Sequence, residues 1–192
     1  MSVGAKNSLL KITEEPPENA YFIMTLESLS NTLETIQSRG TVLTLDTYTL
    51  EELIEYRKHM KYKDTYDNVL EKVCETTGEV DELFKCNVDE FYAFAQNIAT
   101  NIHIPQSGNI FKISSQIKTK NSGTYDGVLL FKAIRSLYID KAIETNNRLY
   151  LLASMTCTEC IRDLKLSSLN KVGTVDKWIM DVRSYLKGLQ VW

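Results

Sequence analysis

The sequence predicts a mainly α-helical protein with a short α/β segment at its start. Three observations carry this. From residue 46 onward apolar residues recur at spacings of three and four, the period of one helix face. The two apolar runs that read as short buried strands, Tyr21–Leu26 and Thr41–Leu45, both fall before residue 46. Only 8 Gly and 3 Pro occur in 192 residues, too few for a loop-rich sandwich or a disordered chain.

The elements follow in order. Lys6 to Glu15 reads as a helix, with Leu9, Leu10 and Ile12 as its apolar turn. It is stopped by Pro16 and Pro17, because the residue before a proline is pushed out of the helical region. Tyr21–Leu26 is the first strand. Leu29–Gln37 is a short amphipathic helix with apolar residues at 29, 33 and 36, and Thr41–Leu45 is the second strand. Two strands make no stable sheet alone, so this segment is either an open fragment of a larger layer or pairs with something else.

Three short helices come next. Thr49 is placed to cap the first, with Glu52 as its capping-box partner, and Leu50, Leu53, Ile54 and Arg57 share one face. The second carries Val69, Leu70 and Val73, with Gly78 as its C-cap. The third is Glu79–Phe84. Asp89 then caps a long helix with Phe91, Phe94, Ala95, Ile98 and Ile102 on one stripe, ending at Pro105. After a loop at 105–109, Ile110, Ile113 and Ile117 mark another helix. Val128–Ile143, Arg148–Leu166 and Thr174–Leu189, the last capped by Thr174, complete five helices over roughly 100 residues, a bundle.

Composition excludes several classes. Hydrophobic content of 43% and charged content of 24% fit a soluble globular chain. No apolar run approaches the roughly 18–20 residues of a membrane span. The start, Met-Ser-Val-Gly-Ala-Lys, has no apolar signal core, so a cytoplasmic, membrane-free protein is expected. A net charge of −3 gives no global attraction to nucleic acid. Residues 45–87 hold 6 Lys/Arg against 11 Asp/Glu, and residues 88–192 hold 13 against 9. This asymmetry supports a boundary near residue 87 and, weakly, a DNA-facing second part.

Residues 7–17 read Asn-Ser-Leu-Leu-Lys-Ile-Thr-Glu-Glu-Pro-Pro, and Ser38-Arg39-Gly40 follows the first strand and short helix. This order resembles the end of the ATPase core in clamp-loader subunits of the AAA+ superfamily. There the pattern is Asn-Ala-Leu-Leu-Lys-x-Leu-Glu-Glu-Pro-Pro, a strand, then Ser-Arg-Cys. By motif the chain is most similar to the delta-prime type of bacterial DNA polymerase III. The resemblance is sharp over residues 5–45 and only architectural beyond. It implies that the chain starts within a domain, after the half that grips ATP. It implies a core remnant over 1–45, a helical lid over 46–87 and a helical collar over 88–192.

The same resemblance assigns Arg39 as a finger projected into the nucleotide site of a neighbouring subunit. A guanidinium suits that role because it stays charged and offers forked donors to phosphate oxygens. Gly40 replaces the family's Cys, and Thr25 falls where the family places a polar nucleotide-sensing residue. No arginine follows Gly78, where active subunits carry one. Glu79, Asp81 and Glu82 stand there instead, which favours a stator that neither binds nor hydrolyses ATP usefully. The chain has no phosphate loop and is not read as an enzyme by itself. Its link to DNA-directed DNA polymerase (nucleotidyltransferase) activity runs through the holoenzyme. Implied partners are the delta and gamma/tau subunits and, indirectly, the sliding clamp and primer-template DNA; no cofactor or metal is implied. The alternatives are a truncated gamma/tau-type motor and an unrelated helical adaptor.

The remaining candidates have ordinary readings. Arg57, Lys58, His59, Lys61 and Lys63, with Tyr56 and Tyr62 interleaved, read as a solvated helix end, with phosphate contact as the minor alternative. Cys157-x-x-Cys160 lies in a helical stretch, where i,i+3 cysteines are neighbours on one face, so buried thiols are expected rather than a metal or redox pair. His59 and His103 have no partner at a recognisable spacing. Phe91, Phe94 and Trp178 are assigned to the core.

Overall fold

A computed structural model of the protein describes residues 12–26, 29, 34–102, 110–117, 123–166 and 169–187. The chain divides into two compact units, Met1–Asp46 and Thr47–Trp192.

In the first unit residues 12–14 are helical and lead into Pro16 and Pro17. Leu9 and Leu10 of the expected helix lie outside the described residues. The chain turns at Pro17–Ala20, where the Ala20 N–H donates to the Pro17 carbonyl at 3.1 Å and Asn19 takes the left-handed conformation (φ 63°). Of the helix expected over 29–37, Glu34–Gln37 is formed (α1), with Ile36 as its buried residue. Tyr21–Leu26 and Thr41–Leu45, read from the sequence as strands, carry no regular secondary structure. A strand needs a ladder partner, and among the described residues neither segment has one. Their apolar side chains are correspondingly open to solvent: Tyr21 and Ile23 are each 92% exposed and Leu45 is 90% exposed.

Among its described residues the regular secondary structure of the second unit is helical, apart from one isolated bridge between Ile117 and Tyr125. Its elements are α2 (Leu50–His59), α3 (Asp67–Val73), α4 (Thr77–Phe84), α5 (Val88–Asn101), α6 (Ile110–Gln116), α7 (Gly127–Thr145), α8 (Arg148–Lys165) and α9 (Lys171–Leu186).

Helix ends follow local chemistry. Thr49 and Glu52 form the expected capping box at α2. Gly78 is not a C-cap; it lies inside the first turn of α4. The reason is that α3 already ends when Cys74 turns extended, and the Thr76 hydroxyl then accepts from the Glu79 N–H to start a new helix. Asn87, not Asp89, caps α5, because its side-chain oxygen reaches the N–H groups of Asp89 and Glu90. Asp89 sits instead in the first turn, where a negative charge suits the helix dipole. Asn170 likewise replaces Thr174 as the cap of α9. Between α7 and α8, Asn146 takes the left-handed conformation (φ 50°, ψ 33°) and Asn147 caps the next helix, so two asparagines make the hairpin.

α7 is the centre of this unit. Leu129, Leu130, Phe131, Ala133, Ile134 and Tyr138 are all buried along it. It packs against α3, α5 and α8, and α9 packs on α6 and α8. A helix contacted on several sides reads as apolar nearly all round, and α7 does. Phe131 meets Trp178 of α9 edge to face at 4.7 Å between ring centroids. Phe91 of α5 meets Tyr125 in the same way. The core runs without interruption from Leu53 of α2 to Leu186 of α9.

Candidate functional site

Arg39 lies in the turn that ends α1. The Ser38 N–H donates to Glu34 O and the Arg39 N–H to Ile36 O, so the chain leaves the helix by a tightened last turn. The side chain folds back over that turn. Nη1 donates to the Thr35 carbonyl at 2.7 Å, and Nη2 donates to Glu14 Oε1 at 2.9 Å. Glu14 belongs to the acidic pair before Pro16, so the ion pair links the two motifs that flank the first apolar segment. The Arg39 side chain is 37% exposed. A Cβ at Gly40 would meet only Ile36 O, at 3.9 Å, and the backbone there is not left-handed. Position 40 therefore has room for a Cβ. Thr25 is exposed in the segment 21–26, which has no regular secondary structure.

The carboxylates after Gly78 each have a partner within the second unit. Glu79 Oε1 accepts from Lys132 Nζ at 2.6 Å, and Glu75 Oε2 lies 3.0 Å from the same nitrogen. The Lys132 side chain is only 3% exposed, so α7 places a buried ammonium between two acids of the α3–α4 region. Burial pushes the Glu75 carboxyl up, but the hydrogen bond and charge of Lys132 outweigh it and hold it below the usual carboxylate range. Asp81 accepts from both the Tyr56 and the Tyr62 hydroxyl, at 3.0–3.1 Å. That hydrogen bond, then burial, raises the Tyr56 phenol; for Tyr62 burial comes first and Asp81 second. Glu82 pairs with Lys85. This acidic run is engaged in packing contacts.

The basic run divides. Arg57 is buried, 2% exposed, against the expectation of a solvated helix end. Its Nε lies 3.0 Å from Asp67 Oδ1, Nη2 donates to Asp67 Oδ2 at 3.5 Å, and Nη1 donates to the Tyr62 carbonyl at 3.4 Å. The sequence carried the signal, since Arg57 shares a face with Leu50 and Leu53. Lys58, His59, Lys61 and Lys63 are exposed. His103 lies outside the described residues. Cys157 and Cys160 are free and buried on α8. Burial pushes the Cys157 thiol up, with the Trp178 indole and Thr156 pulling slightly the other way, and raises Cys160 to about 12. Neither is a ready thiolate.

Lys132 went unnoticed in the sequence, although a lone lysine inside Leu129-Leu130-Phe131-Lys132-Ala133-Ile134 is itself a signal for a buried ion pair. Among the described residues no group of three His, Cys, Asp or Glu is placed to hold a metal ion, and no helix is long and apolar enough to cross a membrane.

Residues 1–49 are similar to a protein family described as DNA polymerase III, delta subunit. No curated protein and no solved structure matches the chain.

Proposed function

We propose that this chain is a DNA-replication clamp-loader subunit of the delta-prime type, acting as a stator that presents Arg39 to the ATP site of a neighbouring subunit. The observation that carries the reading is Arg39 itself. It lies within the 49 residues similar to the DNA polymerase III delta family, at the tip of a turn, solvent-accessible and held among the described residues by Thr35 and Glu14. In this reading residues 1–45 are the end of an AAA+ core, residues 46–87 the lid and residues 88–192 the collar. The partners are the delta and gamma/tau subunits, with the sliding clamp and primer-template DNA engaged through the assembly. The chain contributes no chemistry of its own. It supplies a guanidinium to phosphate oxygens as charge builds on them in the transition state, at the neighbour's site.

Engagement of Glu79, Asp81 and Glu82 in the helical unit supports a stator over a gamma/tau-type motor, because that position offers no cation to a nucleotide. The test is Arg39→Ala in a reconstituted loader containing the natural protein. ATP hydrolysis falls by about tenfold or more, since arginine fingers contribute on the order of 10³–10⁵ in related phosphoryl transfers. Assembly, read by gel filtration, stays intact. Unchanged hydrolysis sinks the finger role.

A helical protein-interaction adaptor is the second reading, favoured by the end of the family similarity at residue 49. Failure of the protein to capture any clamp-loader subunit would select it.

A further inference from the structure

The geometry points to a latch in cis: Glu14 holds the Arg39 guanidinium folded back on its own subunit, and a phosphate oxygen of the neighbour's nucleotide must displace that carboxylate before the finger can act. This rests on the reading of Arg39 as a trans-acting finger. Arg39 reaches 25 residues back along the chain to Glu14 Oε1, at 2.9 Å, while Nη1 is docked on the Thr35 carbonyl at 2.7 Å. The Thr35 contact is with a backbone carbonyl of α1, an oxygen that also accepts from the Ser38 hydroxyl at 3.1 Å. The Glu14 contact is of another kind. A carboxylate and a phosphate present the same acceptor oxygens to a guanidinium, so Glu14 occupies the place of the ligand the finger would grip.

Two features make the arrangement reversible. Both side chains are partly open to water, 37% for Arg39 and 51% for Glu14, so the pair is weak and exchanges readily. Thr35 is bound by Nη1 and Glu14 by Nη2, so Thr35 can keep the arm aimed while Glu14 is replaced. Glu14 is thus a positioning residue. It sets how much nucleotide charge is needed to recruit the finger, and it discourages capture of stray anions by the free subunit.

The decisive variant is Glu14→Gln, which keeps size and removes charge. In a reconstituted loader with the natural protein, Glu14→Gln lowers the concentration of this subunit needed for half-maximal stimulation of ATP hydrolysis by about two- to fivefold, the range expected of an exposed ion pair. Arg39→Ala abolishes stimulation in both backgrounds. A second readout is independent of ATPase: the rate at which phenylglyoxal modifies Arg39 in the free protein, followed by mass spectrometry of the Arg39 peptide, rises several-fold in Glu14→Gln. If Arg39→Ala abolishes stimulation while Glu14→Gln changes neither the half-maximal concentration nor the modification rate, the latch is wrong and the finger stands. If Arg39→Ala leaves hydrolysis unchanged, the finger and the latch fall together. Glu14→Gln that weakens stimulation would mean that Glu14 orients the finger for use, and overturns the latch.

Discussion

The Glu14 carboxylate and the Arg39 guanidinium lie 2.9 Å apart although 25 residues separate them in the chain. The pair joins the acidic end of the N-terminal motif to the Ser-Arg-Gly turn. Exposure on both sides limits what it does for folding. Surface pairs contribute about 0–1 kcal/mol, because water screens the charges and two side chains must be held in one geometry. Arg39→Ala and Glu14→Ala are therefore each expected to change unfolding free energy by less than about 1 kcal/mol in urea titrations followed by circular dichroism. A larger loss for Arg39→Ala would make its effect on ATP hydrolysis structural rather than catalytic.

Lys132 gives the opposite case. Its ammonium is buried and tied to Glu79 and Glu75, so α7 is fastened to the α3–α4 region by charge as well as by packing. Removing the acids leaves a buried cation without compensation, at a cost of about 3–5 kcal/mol. Replacing the lysine by an apolar side chain of similar length removes the charge and its need together. The double variant Glu75→Ala/Glu79→Ala is therefore expected to lose several times more stability than Lys132→Met. Urea unfolding of the two proteins decides it, and the reverse order would refute this account of the cluster.

The same cluster predicts an acid dependence. Lys132 holds the folded-state Glu75 carboxyl below its unfolded value of about 4.3. A depressed carboxylate contributes stability that is fully present above the unfolded value and is lost as pH falls through the folded one. Stability should thus be flat near neutrality with respect to this group and decline below about pH 4.5. In Lys132→Met the Glu75 share of that decline should shrink sharply, because burial still raises this carboxyl while only the weaker charges of Lys165 and Arg135 remain to lower it. Unfolding free energies measured between pH 3 and 7 for both proteins test this; identical profiles would remove Lys132 as the cause.

The helical unit was legible in the sequence because its signals are local. Apolar stripes such as Phe91, Ala95 and Ile98 mark a face by themselves, and the Thr49–Glu52 box marks a helix start. Caps were misplaced by a few residues where two candidates compete, as with Asn87 and Asp89. There the geometry of one side-chain oxygen decides, and no pattern encodes it. The strands were a different failure. Apolar runs at 21–26 and 41–45 state a preference for a ladder, but a ladder needs a partner strand that these residues do not find. At the candidate site the sequence singled out Arg39 and missed its partner. Glu14 was legible as a helix stop before two prolines, and only the fold brings it to the arginine.

The Tyr138 hydroxyl provides a test inside the core. Tyr138 is 0% exposed on α7, and its hydroxyl has no hydrogen-bond partner among the described residues. Its ring stacks near Tyr150 of α8, at 6.3 Å between centroids. Burial drives the phenol well above its ordinary value, with Cys157 and Tyr150 adding to the shift, so the group stays neutral. A buried hydroxyl without a partner has lost its water and gained nothing in return, a deficit of about 1–3 kcal/mol. The ring does the packing, and the oxygen is a burden on it. Tyr138→Phe deletes only that oxygen. It should leave stability unchanged or raise it by up to about 1 kcal/mol, whereas Tyr138→Ala, which removes the ring, should cost about 3–5 kcal/mol. Urea denaturation of both variants makes the comparison. A loss of more than about 1 kcal/mol in Tyr138→Phe would show that the hydroxyl has a partner in solution, such as a buried water between α7 and α8.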